Sequence, residues 1–95
     1  MSRREYRNLA EQVHAVGGLY RLLKHLGKTG GAREEALVSR FSVSRANTRA
    51  KLDISSRWKL VSKENGVWKL EPKGHAILTA YEKYYPRKPS RTPTA

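Results

Sequence analysis

A chain of 95 residues with 20 Lys and Arg against 8 Asp and Glu carries a formal net charge of +12, an imbalance that calls for a polyanion or an anionic surface as partner. The length suits one small domain. With no Cys, the chain has no disulfide framework, no thiol nucleophile and no sulfur-liganded zinc finger. No apolar run reaches the roughly 18 residues of a transmembrane helix, and the N-terminus lacks the apolar stretch of a signal peptide, so a cytoplasmic protein is expected.

Tyr6, Leu9, Val13, Leu19, Leu22, Leu23 and Leu26 recur at helical spacing around Gly17-Gly18. Two glycines cost a helix roughly 2 kcal/mol relative to Ala, which predicts one helix ending near Val16 and another from about Gly18 to Leu26 with Gly27 as its cap. After the loop Lys28-Thr29-Gly30-Gly31, a short helix is expected over Ala32 to Arg40, its acids Glu34 and Glu35 suiting the positive end of the helix dipole. Ser42 or Ser44 can then cap a longer helix from Arg45 to about Trp58. Asn65-Gly66 between Leu60-Val61-Ser62-Lys63-Glu64 and Val67-Trp68-Lys69-Leu70 predicts a two-residue hairpin pairing Lys63 with Trp68 and Val61 with Leu70. Pro72 fits the first turn of a last helix, which Ile77, Leu78, Tyr81, Tyr84 and Tyr85 make apolar on one side. Pro86 to Ala95 has three prolines, three basic residues and nothing to bury, and reads as a disordered basic tail. The divisions are thus 1–17, an N-terminal helix and candidate dimerisation arm, 18–85, the main domain, and 86–95, the tail.

The particular residues resemble the winged helix-turn-helix regulators of the MarR, PadR and ArsR type over residues 19–82. Phe41, Ser42-Val43-Ser44, Leu52 and Leu60-Val61 stand at that family's usual spacing, and Trp68-Lys69-Leu70-Glu71-Pro72-Lys73-Gly74 matches its aromatic-x-Leu-Thr-x-x-Gly run. Lys59, Ser55 and Glu71 depart from it, standing where Gly, a core Leu and a capping Thr are usual. The resemblance implies a mainly α fold with a small β-hairpin wing, a winged helix-turn-helix with an extra N-terminal helix. It also implies a double-stranded DNA-binding regulator from a prokaryote, plasmid or virus.

Charge placement agrees with that expectation. Seven basic residues lie between Arg40 and Lys63 against Asp53 alone, and a helix of this diameter fits the major groove. Two phases remain open. One buries Thr48, Leu52 and Ser55 and faces Arg45, Ala46, Asn47 and Arg49 to the groove; the other buries Ala46, Ala50 and Ile54 and presents Arg45, Thr48, Arg49 and Lys51. The candidate recognition set is therefore Ser44, Arg45, Asn47, Thr48, Arg49 and Lys51. Arg40, Lys59, Lys63, Asn65 and Lys69 are expected on phosphates or in the minor groove. Trp68 is read as packing the wing on the core; Trp58 as either core or dimer seam.

Nothing argues for an enzyme, cofactor or metal. Gly27-Lys28-Thr29 lacks the earlier glycine of a phosphate-binding loop, and His14, His25 and His75 are not at ligand spacing. Tyr6, Leu9, Val13, Tyr81, Tyr84 and Tyr85 exceed what a small core absorbs, which predicts a homodimer through the terminal helices. The alternative is a first helix folded back on its own core. A DNA binder without sequence preference, an RNA-binding winged helix and a protein-interaction module remain open alternatives.

Overall fold

A helix ends at Gly17-Gly18 because Gly18 takes a left-handed φ of 81°, a conformation that a residue with a side chain adopts at a cost. This break separates α1 (Arg3–Ala15) from α2 (Leu19–Thr29) in the computed structural model, which describes residues 3–85. The remaining elements are β1 (Ala32–Arg33), α3 (Glu34–Phe41), α4 (Arg45–Arg57), β2 (Val61–Glu64), β3 (Val67–Leu70) and α5 (Pro72–Tyr84). The expected tail lies outside the described residues. The fold is mainly helical, with one small antiparallel sheet in the order β1-β3-β2.

The hairpin forms in the register read from the sequence, Lys63 opposite Trp68 and Val61 opposite Leu70. Asn65 and Gly66, at φ 53° and 80°, supply the two left-handed residues that a two-residue turn of this hand needs. β1 is an addition. Ala32 and Arg33, expected to begin a helix, instead pair with Trp68 and Val67, so α3 starts only at Glu34. α2 also outlasts its expected end. Gly27 lies inside it, packed so closely that a Cβ there would come 3.2 Å from Leu70 Cδ2, and the cap is Gly30, whose N–H donates to the Leu26 carbonyl.

Leu19, Leu22, Leu23 and Leu26 of α2 occupy the middle of the core, with Leu37, Leu52, Leu60, Val61, Trp68, Ile77 and Leu78 around them. α1 packs chiefly on α5 of its own chain, the fold-back that stands as the alternative to a dimerisation arm. Val13, expected at a dimer seam, is 1% exposed within its own chain. Tyr6, Leu9 and Tyr81 pack against the same core, and so does Trp58, half-buried beside it. Tyr81 stacks on Tyr20 at 4.5 Å, and His14 stacks on Tyr85 at 4.1 Å. Among the described residues, no helix is long and apolar enough to cross a membrane.

Candidate nucleic-acid interface

α4 begins where Ser44 Oγ accepts the Asn47 N–H at 3.0 Å, satisfying one of the free donors of a helix start. It ends in a Schellman motif: Leu60 N–H donates to Ser55 O and Lys59 N–H to Ser56 O, both at 2.9 Å, across Lys59 at φ 64°. Lys59 therefore stands at a left-handed position, the kind that glycine fills most easily. Between these caps, Thr48, Leu52 and Ser55 are fully buried, so the helix adopts the first of its two possible phases. Ser55 tolerates the core because its hydroxyl donates to Lys51 O at 2.8 Å.

This phase corrects the expectation for Thr48, which faces the core and not solvent. Arg45, Ala46, Asn47, Arg49 and Ala50 are exposed. Arg45 and Arg49, four apart, share one flank of the helix, and Asn47 and Lys51 the other. The pole between them carries the small Ala46 and Ala50, which lets the backbone come close to whatever α4 meets. Lys51 leans toward α2: a Cβ on Gly18 would lie 2.9 Å from its Nζ. It is half-buried and turned from the exposed pole.

On the Arg45 flank, α4, α3 and the hairpin enclose a hollow of about 220 Å³. Arg33, Arg45, Arg49 and Lys63 line it together with Glu34, Glu35, Gly66 and Trp68, so four cations face two carboxylates. Arg49 Nε donates to Glu34 Oε1 at 3.0 Å, an ion pair in which Arg49 is 53% exposed and Glu34 only 12%. A guanidinium has five N–H donors, of which this bond uses one. Lys63 Nζ sits 5.6 Å from the Trp68 ring centroid. Arg33 reaches over the hairpin turn, its Nη1 2.8 Å from where a Gly66 Cβ would be.

The other expected contacts divide by location. Lys59 and Asn65 are exposed at the end of α4 and at the hairpin turn. Lys69 is exposed but pairs with Glu64 at 3.5 Å on the same hairpin. Arg40 belongs elsewhere, at the end of α3 with its Cζ 5.6 Å from the Phe41 ring centroid, outside the hollow. Arg33 and Glu34 escaped the sequence reading. A two-residue strand has no periodicity to betray it, and Glu34 looked sufficient as a dipole partner, which its place in the first turn of α3 also makes it. No family profile, curated protein or solved structure matches the chain.

Proposed function

We propose that this protein is a winged helix-turn-helix that binds double-stranded DNA as a transcriptional regulator, with α4 in the major groove and the β2–β3 hairpin as the wing. The observation that carries the reading is the phase of α4. Burial of Thr48, Leu52 and Ser55 leaves Arg45, Asn47 and Arg49 in solvent, and Lys63 of the hairpin lines the same hollow as the two arginines. Those side chains have the right chemistry: Arg can donate bidentately to guanine, Asn pairs with adenine, and exposed alanines can meet thymine methyls. The succession α2, β1, α3, α4, β2, β3, with β3 central in the sheet, fits the same architecture, and the net charge of +12 fits a phosphate-rich partner.

The test is selection from a random duplex pool at about 150 mM salt, the ionic regime in which non-specific binding is already weak. An enriched motif is expected, and Arg49→Ala should then cost about 1–3 kcal/mol on that motif and little on random duplex. Equal losses on both would make Arg49 a phosphate contact. Tight binding without enrichment would replace the regulator with a DNA binder lacking sequence preference, and a preference for duplex RNA would remove major-groove reading altogether.

A further inference from the structure

α2 carries a second basic surface. Arg21, Lys24 and Lys28 recur at three- and four-residue spacing along its exposed side, which aligns them on one face. Arg40, from the end of α3, completes a cleft of about 290 Å³ whose lining contains no carboxylate. The floor is aromatic. His25 meets the Phe41 ring edge-on at 5.5 Å, and the Arg40 guanidinium lies over the same ring. At the rim, Lys24 Nζ lies 2.5 Å from Glu82 Oε2, and Tyr20 donates to that same oxygen at 2.6 Å, which ties this side of the cleft to α5.

The cleft and the hollow beside α4 are separate cavities, and the cleft borders the other flank of α4, where Arg21 and Phe41 share a small pocket with Lys51. No residue lining this cleft also lines the hollow of Arg33, Arg45, Arg49 and Lys63. The cleft lies between α2 and the end of α3, whereas the hollow lies between α3, α4 and the hairpin. Arg21 and Lys28 stand seven residues apart, about 10 Å along the helix axis. That distance spans about three base-pair rises of one DNA strand at 3.4 Å each. Lys24 is engaged by Glu82 at the rim, while Arg21, Lys28 and Arg40 at such spacing suit a phosphodiester backbone, which they would hold without reading its sequence.

We propose that this cleft grips the phosphate backbone of a second nucleic-acid segment, so that one molecule holds two duplexes together. The inference rests on the reading of α4 as the first such surface. The experiment tethers one duplex to beads, adds protein and measures retention of a second, fluorescent duplex. Single-duplex affinity is followed in parallel by anisotropy. Wild type is expected to retain the second duplex. The combined variant Arg21→Ala, Lys28→Ala, Arg40→Ala should bind a single duplex within about threefold of wild type yet retain at least tenfold less of the second. Lys28→Glu alone, at an exposed position in the last turn of α2, should reduce retention in the same direction and guards against misfolding of the triple variant. No retention by wild type, retention unchanged in the variants, or a parallel fall in single-duplex affinity would each overturn the second surface. The proposed function fails on a different readout: affinity for a single duplex carrying the selected motif left unchanged by Arg45→Ala with Arg49→Ala.

Discussion

Arg49 reaches solvent on a leash. Its Nε is held by Glu34, whose other oxygen, Oε2, is buried and makes no hydrogen bond among the described residues. With Arg49 more than half exposed, the pair adds little to folding stability. Its consequence is electrostatic: the carboxylate directs the guanidinium and, on the proposed function, would also repel the phosphates that the neighbouring cations attract. Glu34→Gln keeps the shape and removes the charge. Affinity for random duplex should rise about fivefold, the roughly 1 kcal/mol that one charge is worth at contact in a watery setting, while discrimination for a selected motif falls. Unchanged binding to random duplex in an anisotropy titration would show that Glu34 does not compete with phosphate. Thr48 supplies a second test at this scale. It is fully buried, and its hydroxyl makes no hydrogen bond among the described residues, so the group carries a desolvation cost. Thr48→Val should raise unfolding free energy by about 1 kcal/mol in urea and leave DNA affinity unaltered. A loss of affinity would return Thr48 to the groove and overturn the phase of α4.

α5 is fixed against the sheet by close approach at one residue. A Cβ on Gly74 would collide with the Leu60 carbonyl oxygen and come 2.5 Å from Leu70 Cδ1. The Leu60 oxygen also accepts the Glu71 N–H at 2.8 Å, and Ser62 Oγ donates to Glu71 Oε2, so neither side can retreat freely. Gly74→Ala should destabilise the fold by about 3 kcal/mol, the upper part of the overpacking range, measured by urea unfolding. A change below about 0.5 kcal/mol, the scale of surface substitutions, would mean that α5 shifts without resistance. The elements differ in how far the sequence revealed them. Asn65-Gly66 made the hairpin legible to the residue, because its turn geometry sets the register. The breaks around Gly17-Gly18 and Ser42-Val43-Ser44 were legible for similar reasons. The phase of α4 was not, since two of its three buried residues, Thr48 and Ser55, are polar and look like surface. Gly27 misled by type: a glycine near a helix end resembles a cap, but this one makes room for Leu70. At the candidate site, Arg45, Asn47 and Lys63 could be named from charge and period, whereas Arg33 and Glu34 are joined to them only by tertiary packing.

At the scale of the whole molecule, the apolar surplus that suggested a second copy is mostly absorbed within one chain. Val13 is core, and Tyr81 lies between Tyr20, His14 and Tyr85. What remains part-exposed on the α1–α5 pair is Tyr6, Leu9, Tyr84 and Tyr85, and Tyr84 is within 5.5 Å of the Arg7 guanidinium. Two helices of 13 residues each present a face of roughly 20 by 20 Å, or about 400 Å². A stable interface needs about 800 Å² per partner, so this face alone makes a weak dimer. We therefore propose a homodimer that DNA assembles: two copies on half-sites one helical turn apart, about 34–36 Å, would gain from the α1–α5 contact only once both are held. Sedimentation should accordingly show a monomer for the free chain at about 10 µM, far below the millimolar dissociation constant that corresponds to only about 4 kcal/mol. A duplex carrying two such half-sites should take up two copies cooperatively. Moving the half-sites apart by half a turn should abolish the cooperativity, because the second copy then sits on the opposite side of the duplex. Uptake of two copies with the same affinity at both spacings would eliminate the homodimer and leave a protein that acts as independent monomers.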